Sequence, residues 1–71
     1  MYHAITSTET AEGQTYYGWT IYQDDDYLAC APDFPTAEER NASMLRHLGK
    51  WTNGELCSID KMLFRVTPTN K

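Results

Sequence analysis

Apolar and polar side chains alternate most clearly between Thr15 and Tyr22. Every second residue of this segment is large and apolar, which predicts a strand with one buried face. The row that we expect to be buried consists of Tyr17, Trp19 and Ile21. The opposite row consists of Tyr16, Gly18, Thr20 and Tyr22. This pattern places the centre of the core beside the row that contains the tryptophan.

Looser alternation on both sides of this segment predicts two further strands, over residues 2–8 and 27–31. The run Asp24–Asp26 marks the turn before the third strand, because three neighbouring carboxylates repel one another and stay in water. Within the third strand, Leu28 and Cys30 form the more apolar row. We expect that row to face the core.

One helix is predicted from Thr36 to about Leu48. Pro35 ends the preceding strand, and Thr36 and Glu39 stand at the spacing of a capping box, in which each satisfies the other's free amide. Gly49 is a natural stop for the helix. The apolar stripe of the helix consists of Met44, Leu45 and Leu48.

A last strand is predicted over residues 59–67, after a turn at residues 52–54. One of its rows is apolar and consists of Met62, Phe64 and Val66. The other row consists of Lys61, Leu63 and Arg65. We therefore expect Phe64 to be a core residue, like the tryptophan of the second strand.

Together these elements predict one α+β domain over residues 1–71, in the order β-β-β-α-β. The first three strands should form an antiparallel meander, because each connection between them is short. We expect the final strand to pair with the first and the helix to pack on one face of the sheet.

Charge divides the chain into two unlike parts, although its net charge is only −4. Residues 1–39 carry eight acids and no Lys or Arg, whereas all six basic residues follow. Six of the acids lie near strand ends and turns: Glu9, Glu12, Asp24, Asp25, Asp26 and Asp33. Their interpretation is open between an acidic patch that docks on a basic surface of another protein and a merely soluble surface.

A second candidate surface is the sheet face away from the helix. Aromatic and basic side chains should share it: Tyr16, Tyr22, Tyr27, Lys61 and Arg65. Stacking tyrosines beside cations suit single-stranded nucleic acid. The acidic balance opposes a phosphate backbone, and cross-strand packing of the tyrosines or a homodimer face is the alternative interpretation.

No catalytic or cofactor motif is recognisable. Cys30, Cys57, His3 and His47 lack the short spacings of a zinc site, and the aspartate run lacks the alternation of an EF-hand loop. We therefore predict a protein that is not an enzyme and binds no metal or cofactor, with a thiol-dependent enzyme as the least favoured alternative.

The location that we predict is the cytoplasm, without a membrane partner. No apolar run approaches the roughly 18 residues that cross a bilayer, and the first residues lack the pattern of a signal peptide. In that compartment we expect both cysteines to be reduced thiols.

Residues 19–35 contain a motif of the form Y-x-A-x-x-P-D-x-P after a strand and an acidic turn. It consists of Tyr27, Ala29, Pro32, Asp33 and Pro35. The motif resembles the opening of HicB-type antitoxins and of similar small phage and plasmid proteins. The resemblance implies a β-meander-plus-helix module, related to double-stranded-RNA-binding domains, that binds another protein and blocks it without enzymatic activity.

Charge and resemblance point to one hypothesis of function. The chain is predicted to be a small acidic protein-binding module, an inhibitor or antitoxin-like protein of phage or mobile-element type. Single-stranded nucleic-acid binding through the tyrosine face is the alternative.

Overall fold

The computed structural model describes residues 1–68, so the last three residues of the predicted domain, Lys71 among them, lie outside the described residues. The described chain forms five strands and one helix. Their bounds are β1 Tyr2–Ala11, β2 Gln14–Gln23, β3 Asp26–Phe34, α1 Ala37–Trp51, β4 Leu56–Ile59 and β5 Met62–Arg65.

The five strands form one mixed sheet in the order β3-β2-β1-β4-β5. β1, β2 and β3 are the predicted antiparallel meander. The chain then crosses the sheet through α1, and β4 pairs with β1 in parallel while β5 pairs with β4 in the antiparallel sense. The α+β class and the helix on one sheet face are confirmed, and the sheet is mixed rather than wholly antiparallel.

The core lies between the helix and the face of the sheet that contains the Trp19 row. Trp19 is 3% exposed, and its indole N–H donates to the Ser43 hydroxyl oxygen of the helix at 3.1 Å. The buried apolar cluster consists of Ala4, Trp19, Ile21, Met44, Leu48, Cys57 and Val66. The core is thus centred on the predicted row that contains Trp19.

The helix begins at the predicted N-cap, Thr36, but only half of the predicted capping box forms, because the Glu39 carboxylate accepts from the Thr36 hydroxyl rather than from the Thr36 amide. The Thr36 hydroxyl oxygen accepts a hydrogen bond from the Glu39 amide at 3.1 Å, and the same hydroxyl lies 3.1 Å from the Glu39 carboxylate. The predicted stop at Gly49 is wrong, because the helix continues to Trp51, whose ring stacks on Tyr2 at 6.0 Å. Among residues 1–68, no helix has the length and apolar character that a bilayer crossing requires.

The facing predicted for the third strand is also wrong. Leu28 and Cys30 are exposed, whereas Ala29 and Ala31 pack against the core. The cause is an irregularity in the β2–β3 pairing beside Ile21, where the bulge changes which residues face the helix. The inward side chains are small, which allows the helix to lie close to this strand.

In place of the one strand predicted over residues 59–67, the chain forms β4 and β5, which a tight turn joins. β4 lies almost wholly before the predicted strand, and the expected pairing of the final strand with the first is wrong, because β4 pairs with β1 and β5 pairs only with β4. Asp60 and Lys61 have φ values of 50° and 71°, and both form the two-residue connection between β4 and β5. Val66 is buried as predicted, but Phe64 is 45% exposed and Met62 is 64% exposed. The helix packs mainly on β2 and β3, so it leaves the helix side of β5 uncovered.

Candidate functional site

The sheet face opposite the helix is the largest feature that no second layer covers within residues 1–68. One row of cross-strand neighbours spans all five strands of this face: Tyr27, Tyr22, His3, Ser58 and Leu63. Ile5 lies beside the row on β1 and is 54% exposed. We call these six residues the open face.

Two tyrosines of the open face are held in place by side-chain contacts. The rings of Tyr22 and Tyr27 meet edge to face with centroids 6.2 Å apart, an arrangement that aromatic pairs favour. The Tyr27 hydroxyl donates to the Cys30 sulfur at 3.2 Å, and this hydrogen bond raises the pKa of Tyr27 above its ordinary value. Tyr27 nevertheless remains 59% exposed, so its ring is both oriented and accessible.

The six acids singled out in the sequence do not form one patch. Glu9 and Glu12 lie at the β1–β2 turn, and Asp33 lies near that end of the sheet because its neighbour Phe34 pairs with Tyr17. The run Asp24–Asp26 lies at the β2–β3 turn, at the opposite end of the ten-residue β1–β2 hairpin. At about 3.3 Å per residue, Glu9 and Glu12 lie about 25–30 Å from this run, and Asp33 lies about 20 Å from it.

We call residues Asp24–Asp26 the acidic turn. A carboxylate oxygen of Asp24 lies 3.0 Å from the N-terminal ammonium of Met1. The Asp24 amide also donates to the Met1 carbonyl at 2.9 Å. Asp25 and Asp26 make no ion pair with another residue of the described chain. Two negative charges at this turn are therefore directed to solvent.

The acidic turn adjoins the open face. A depression of about 550 Å³ is lined by both, and it also contains Asp60 and Lys61. The carboxylate of Asp60 is held in place, because it accepts hydrogen bonds from the amide and the hydroxyl of Thr6 at 2.8 and 2.6 Å. Aromatic, apolar and acidic groups thus share one end of the sheet.

The five residues of the alternative binding face are only partly brought together. Tyr22, Tyr27 and Lys61 lie around the end of the sheet that carries the acidic turn. Tyr16 lies six residues from Tyr22 along β2, about 20 Å away, and its hydroxyl donates to Gln14. Arg65 lies two residues beyond Leu63 on β5, where its guanidinium donates to the Gly54 carbonyl.

The two thiols lie in unlike surroundings. Cys57 is fully buried in the core, and burial raises the pKa of its thiol. Cys30 is exposed on β3, whereas His47 packs on Trp19 at 4.9 Å on the helix side of the sheet. No thiol contacts an imidazole, and no group of three metal-ligating side chains converges, within residues 1–68.

Sequence reasoning missed an apolar groove on the helix side. It lies between α1 and the β4–β5 hairpin, has a volume of about 920 Å³, and exposes Leu45 and Phe64. Arg40 lines it and is 9% exposed, with a guanidinium N–H directed at the carbonyls of Ser7 and Gly18 at 3.3 and 3.4 Å. No sequence signal indicates this groove, because the apolar residues of β5 read as core positions until the place where the helix crosses the sheet is known.

Comparison with known proteins adds no relative from which a function could be transferred. The chain matches no protein-family model, no curated protein and no solved structure. The resemblance of residues 19–35 to HicB-type antitoxins accordingly stays a prediction.

Proposed function

We propose that this chain is a small acidic protein-binding module, an inhibitor or antitoxin-like protein that blocks a partner protein by docking on a basic surface. The observation that carries the proposal is the junction of the open face with the acidic turn. The docking surface consists of the open face, with Tyr22 and Tyr27 beside the acidic turn and Leu63 at the opposite edge of the sheet, and of Asp25 and Asp26 at its rim.

The composition of the open face supports protein binding. Interfaces combine an apolar, aromatic-rich centre with a polar rim, and tyrosine is among the residues enriched where binding energy concentrates. Tyr27 and Leu63 are each 59% exposed, which is unusual for large apolar side chains arranged in one row. A partner surface laid across the row would remove both from water.

The charge of the acidic turn determines the kind of partner. Carboxylates at the edge of an apolar patch accelerate association with a surface rich in Lys and Arg, because the opposite charges steer the encounter. Asp25 and Asp26 are free of ion pairs within the described chain, so their field is not cancelled locally. Lys61 is the one basic side chain that lines the same depression within residues 1–68.

A pair of charge-reversal variants tests the docking surface. In the variant Asp25→Lys with Asp26→Lys, we expect the association rate with the partner captured from the native host to fall about 10- to 100-fold at low salt. The control is Glu9→Lys with Glu12→Lys, which changes the net charge equally at the far end of the sheet. Association rates measured by surface plasmon resonance at several salt concentrations provide the readout.

The control decides between a local and a general effect of charge. The docking surface is supported if only the acidic-turn variant loses rate and if Tyr27→Ala weakens binding more than Tyr16→Ala. Equal rate losses in both charge variants, or no loss in either, would contradict it. Circular dichroism of each variant shows whether the fold is retained.

Single-stranded nucleic-acid binding is the second candidate function. It is favoured by the paired rings of Tyr22 and Tyr27 beside Lys61, since a stacked base contributes about 1–3 kcal/mol. The acidic turn opposes it, because Asp24 and Asp25 line the same depression as the lysine. We expect no change in the fluorescence anisotropy of labelled oligonucleotides at low salt, and saturable binding lost in Tyr27→Ala would establish this alternative instead.

A further inference from the structure

The edge strand β5 is unusually open for a folded chain. All four of its residues are exposed, and the three that are apolar are exposed by 64% at Met62, 59% at Leu63 and 45% at Phe64. Exposed apolar edges with free backbone groups are templates for pairing with another strand, and most proteins protect them. β5 contains neither Pro nor an acid.

The opposite edge of the same sheet carries such protection. β3 has two irregularities in its pairing with β2, a proline at Pro32 and a left-handed residue at Asp33, where φ is 70°. Asp26 adds charge at its beginning. The contrast between the two edges leaves β5 as the edge suited to strand addition.

The turn between β4 and β5 fixes which backbone groups of β5 point outward. In a two-residue hairpin the residues that flank the turn, here Ile59 and Met62, exchange hydrogen bonds with each other. Alternation then directs the N–H and C=O groups of Leu63 and Arg65 away from β4. The Asp60 amide donates to the Ala4 carbonyl of β1 at 2.9 Å, so it points away from β5, as alternation after Ile59 requires.

We propose that two copies of this chain form a homodimer through antiparallel pairing of their β5 strands, which joins the two sheets into one of ten strands. The hydrogen-bonded pairs are Leu63 with Arg65 of the second copy and the reciprocal pair. Phe64 then faces its own counterpart at a non-hydrogen-bonded site, where Cα atoms approach to about 4.5 Å. This register satisfies the outward backbone groups and preserves the two faces of the sheet.

The charges on and near β5 are compatible with pairing to a second copy of the chain. The only charged residue of β5 is Arg65, and the register places it opposite Leu63 rather than opposite another arginine. The acidic turn connects β2 and β3, three to four strand spacings or about 14–19 Å from β5. The acid closest to β5 in the sequence, Asp60, has its carboxylate held by hydrogen bonds from Thr6.

Sedimentation analysis and amide exchange test the dimer directly. We expect the wild-type chain to sediment as a dimer at millimolar concentration and to dissociate on dilution. Exchange of the Leu63 and Arg65 amides measured by NMR should slow as concentration rises, while exchange of the Met62 amide, bonded within the hairpin, should not respond. A chain that stays monomeric at millimolar concentration overturns the proposal.

Charge variants test the register. Leu63→Lys places a cation opposite Arg65 of the second copy, so we expect the dimerisation constant to weaken about tenfold or more. Adding Arg65→Glu to Leu63→Lys should restore dimerisation, because the facing charges then have opposite signs. The control Ile5→Lys changes a side chain of similar exposure on the open face and should leave the dimer intact.

Each other result of these variants overturns the proposed interface. A dimer lost in Ile5→Lys and kept in Leu63→Lys would place the contact on the open face. A dimer that the added Arg65→Glu fails to restore would exclude the proposed register. Thermal melting of every variant shows whether the monomer has stayed folded.

Discussion

Replacing Trp19 with Ala should lower the free energy of unfolding by about 3–5 kcal/mol, which is most of the stability of a small domain. The ring is 3% exposed, contacts the helix through the hydrogen bond to Ser43, and packs against His47 at 4.9 Å. The substitution would leave a cavity between sheet and helix and an unpaired hydroxyl at Ser43. Urea denaturation followed by circular dichroism measures the loss.

Phe64→Ala is the matched comparison. The sequence pattern predicts the same large cost for it, but the ring is 45% exposed, so we expect a loss of less than about 2 kcal/mol. Cooperative unfolding of Trp19→Ala near the wild-type midpoint would contradict the core described here. A Phe64→Ala variant that fails to fold would indicate that the helix side of β5 is covered in solution.

Gly18→Val should destabilise the fold by about 2–3 kcal/mol through overpacking between β2 and its neighbour β3. A Cβ atom built at Gly18 would lie 3.1 Å from the Ala31 carbonyl oxygen and 3.2 Å from the Pro32 Cα, both in the backbone of β3. The Ser7 hydroxyl, at 2.9 Å, could rotate away, but the neighbouring strand could not move without disturbing its pairing.

Thr20→Val is the control for this substitution. Thr20 lies two residues farther along β2 on the same face of the sheet and is partly exposed, so a β-branched apolar side chain should be accepted there. Chemical denaturation of both variants gives the comparison. A Gly18→Val variant as stable as Thr20→Val would show that β3 can yield at this point.

The meander could be predicted because its strands are long and the buried row of β2 is made of large side chains. Trp19 and Ile21 recur at a spacing that only a strand satisfies with one buried face, and the Asp24–Asp26 run interrupts it. The start of the helix could be predicted equally well, since Thr36 accepts the Glu39 amide as an N-cap residue should. Local chemistry determined these elements, so local reasoning found them.

The C-terminal hairpin could not be found in the same way. The connection between β4 and β5 contains no glycine, and its two residues, Asp60 and Lys61, adopt positive φ instead. The pattern of Met62 and Phe64 indicates burial, but the extent of burial depends on where the helix crosses the sheet. That position is a tertiary property, which the periodicity of a single strand does not contain.

The candidate site was predicted by composition better than by geometry. Tyr22 lies on the face away from the helix, as its alternation with Trp19 and Ile21 requires, and Tyr27 shares that face because the bulge in β3 separates it from the inward Ala29. One acidic patch was one of the two interpretations of the acids, but the length of the β1–β2 hairpin separates Glu9 and Glu12 from the acidic turn. The number of acids in a stretch of sequence does not determine how far apart they lie in the sheet.

The parallel pairing of β1 with β4 has a consequence for synthesis on the ribosome. The first strand emerges early and can form the meander with β2 and β3, but its other edge lacks a partner until residues near His3 meet Ser58 and Ile59. During that interval the unpaired edge of β1 is accessible to other polypeptides. Slow translation before β4 should therefore favour capture by chaperones and lower the yield of native protein.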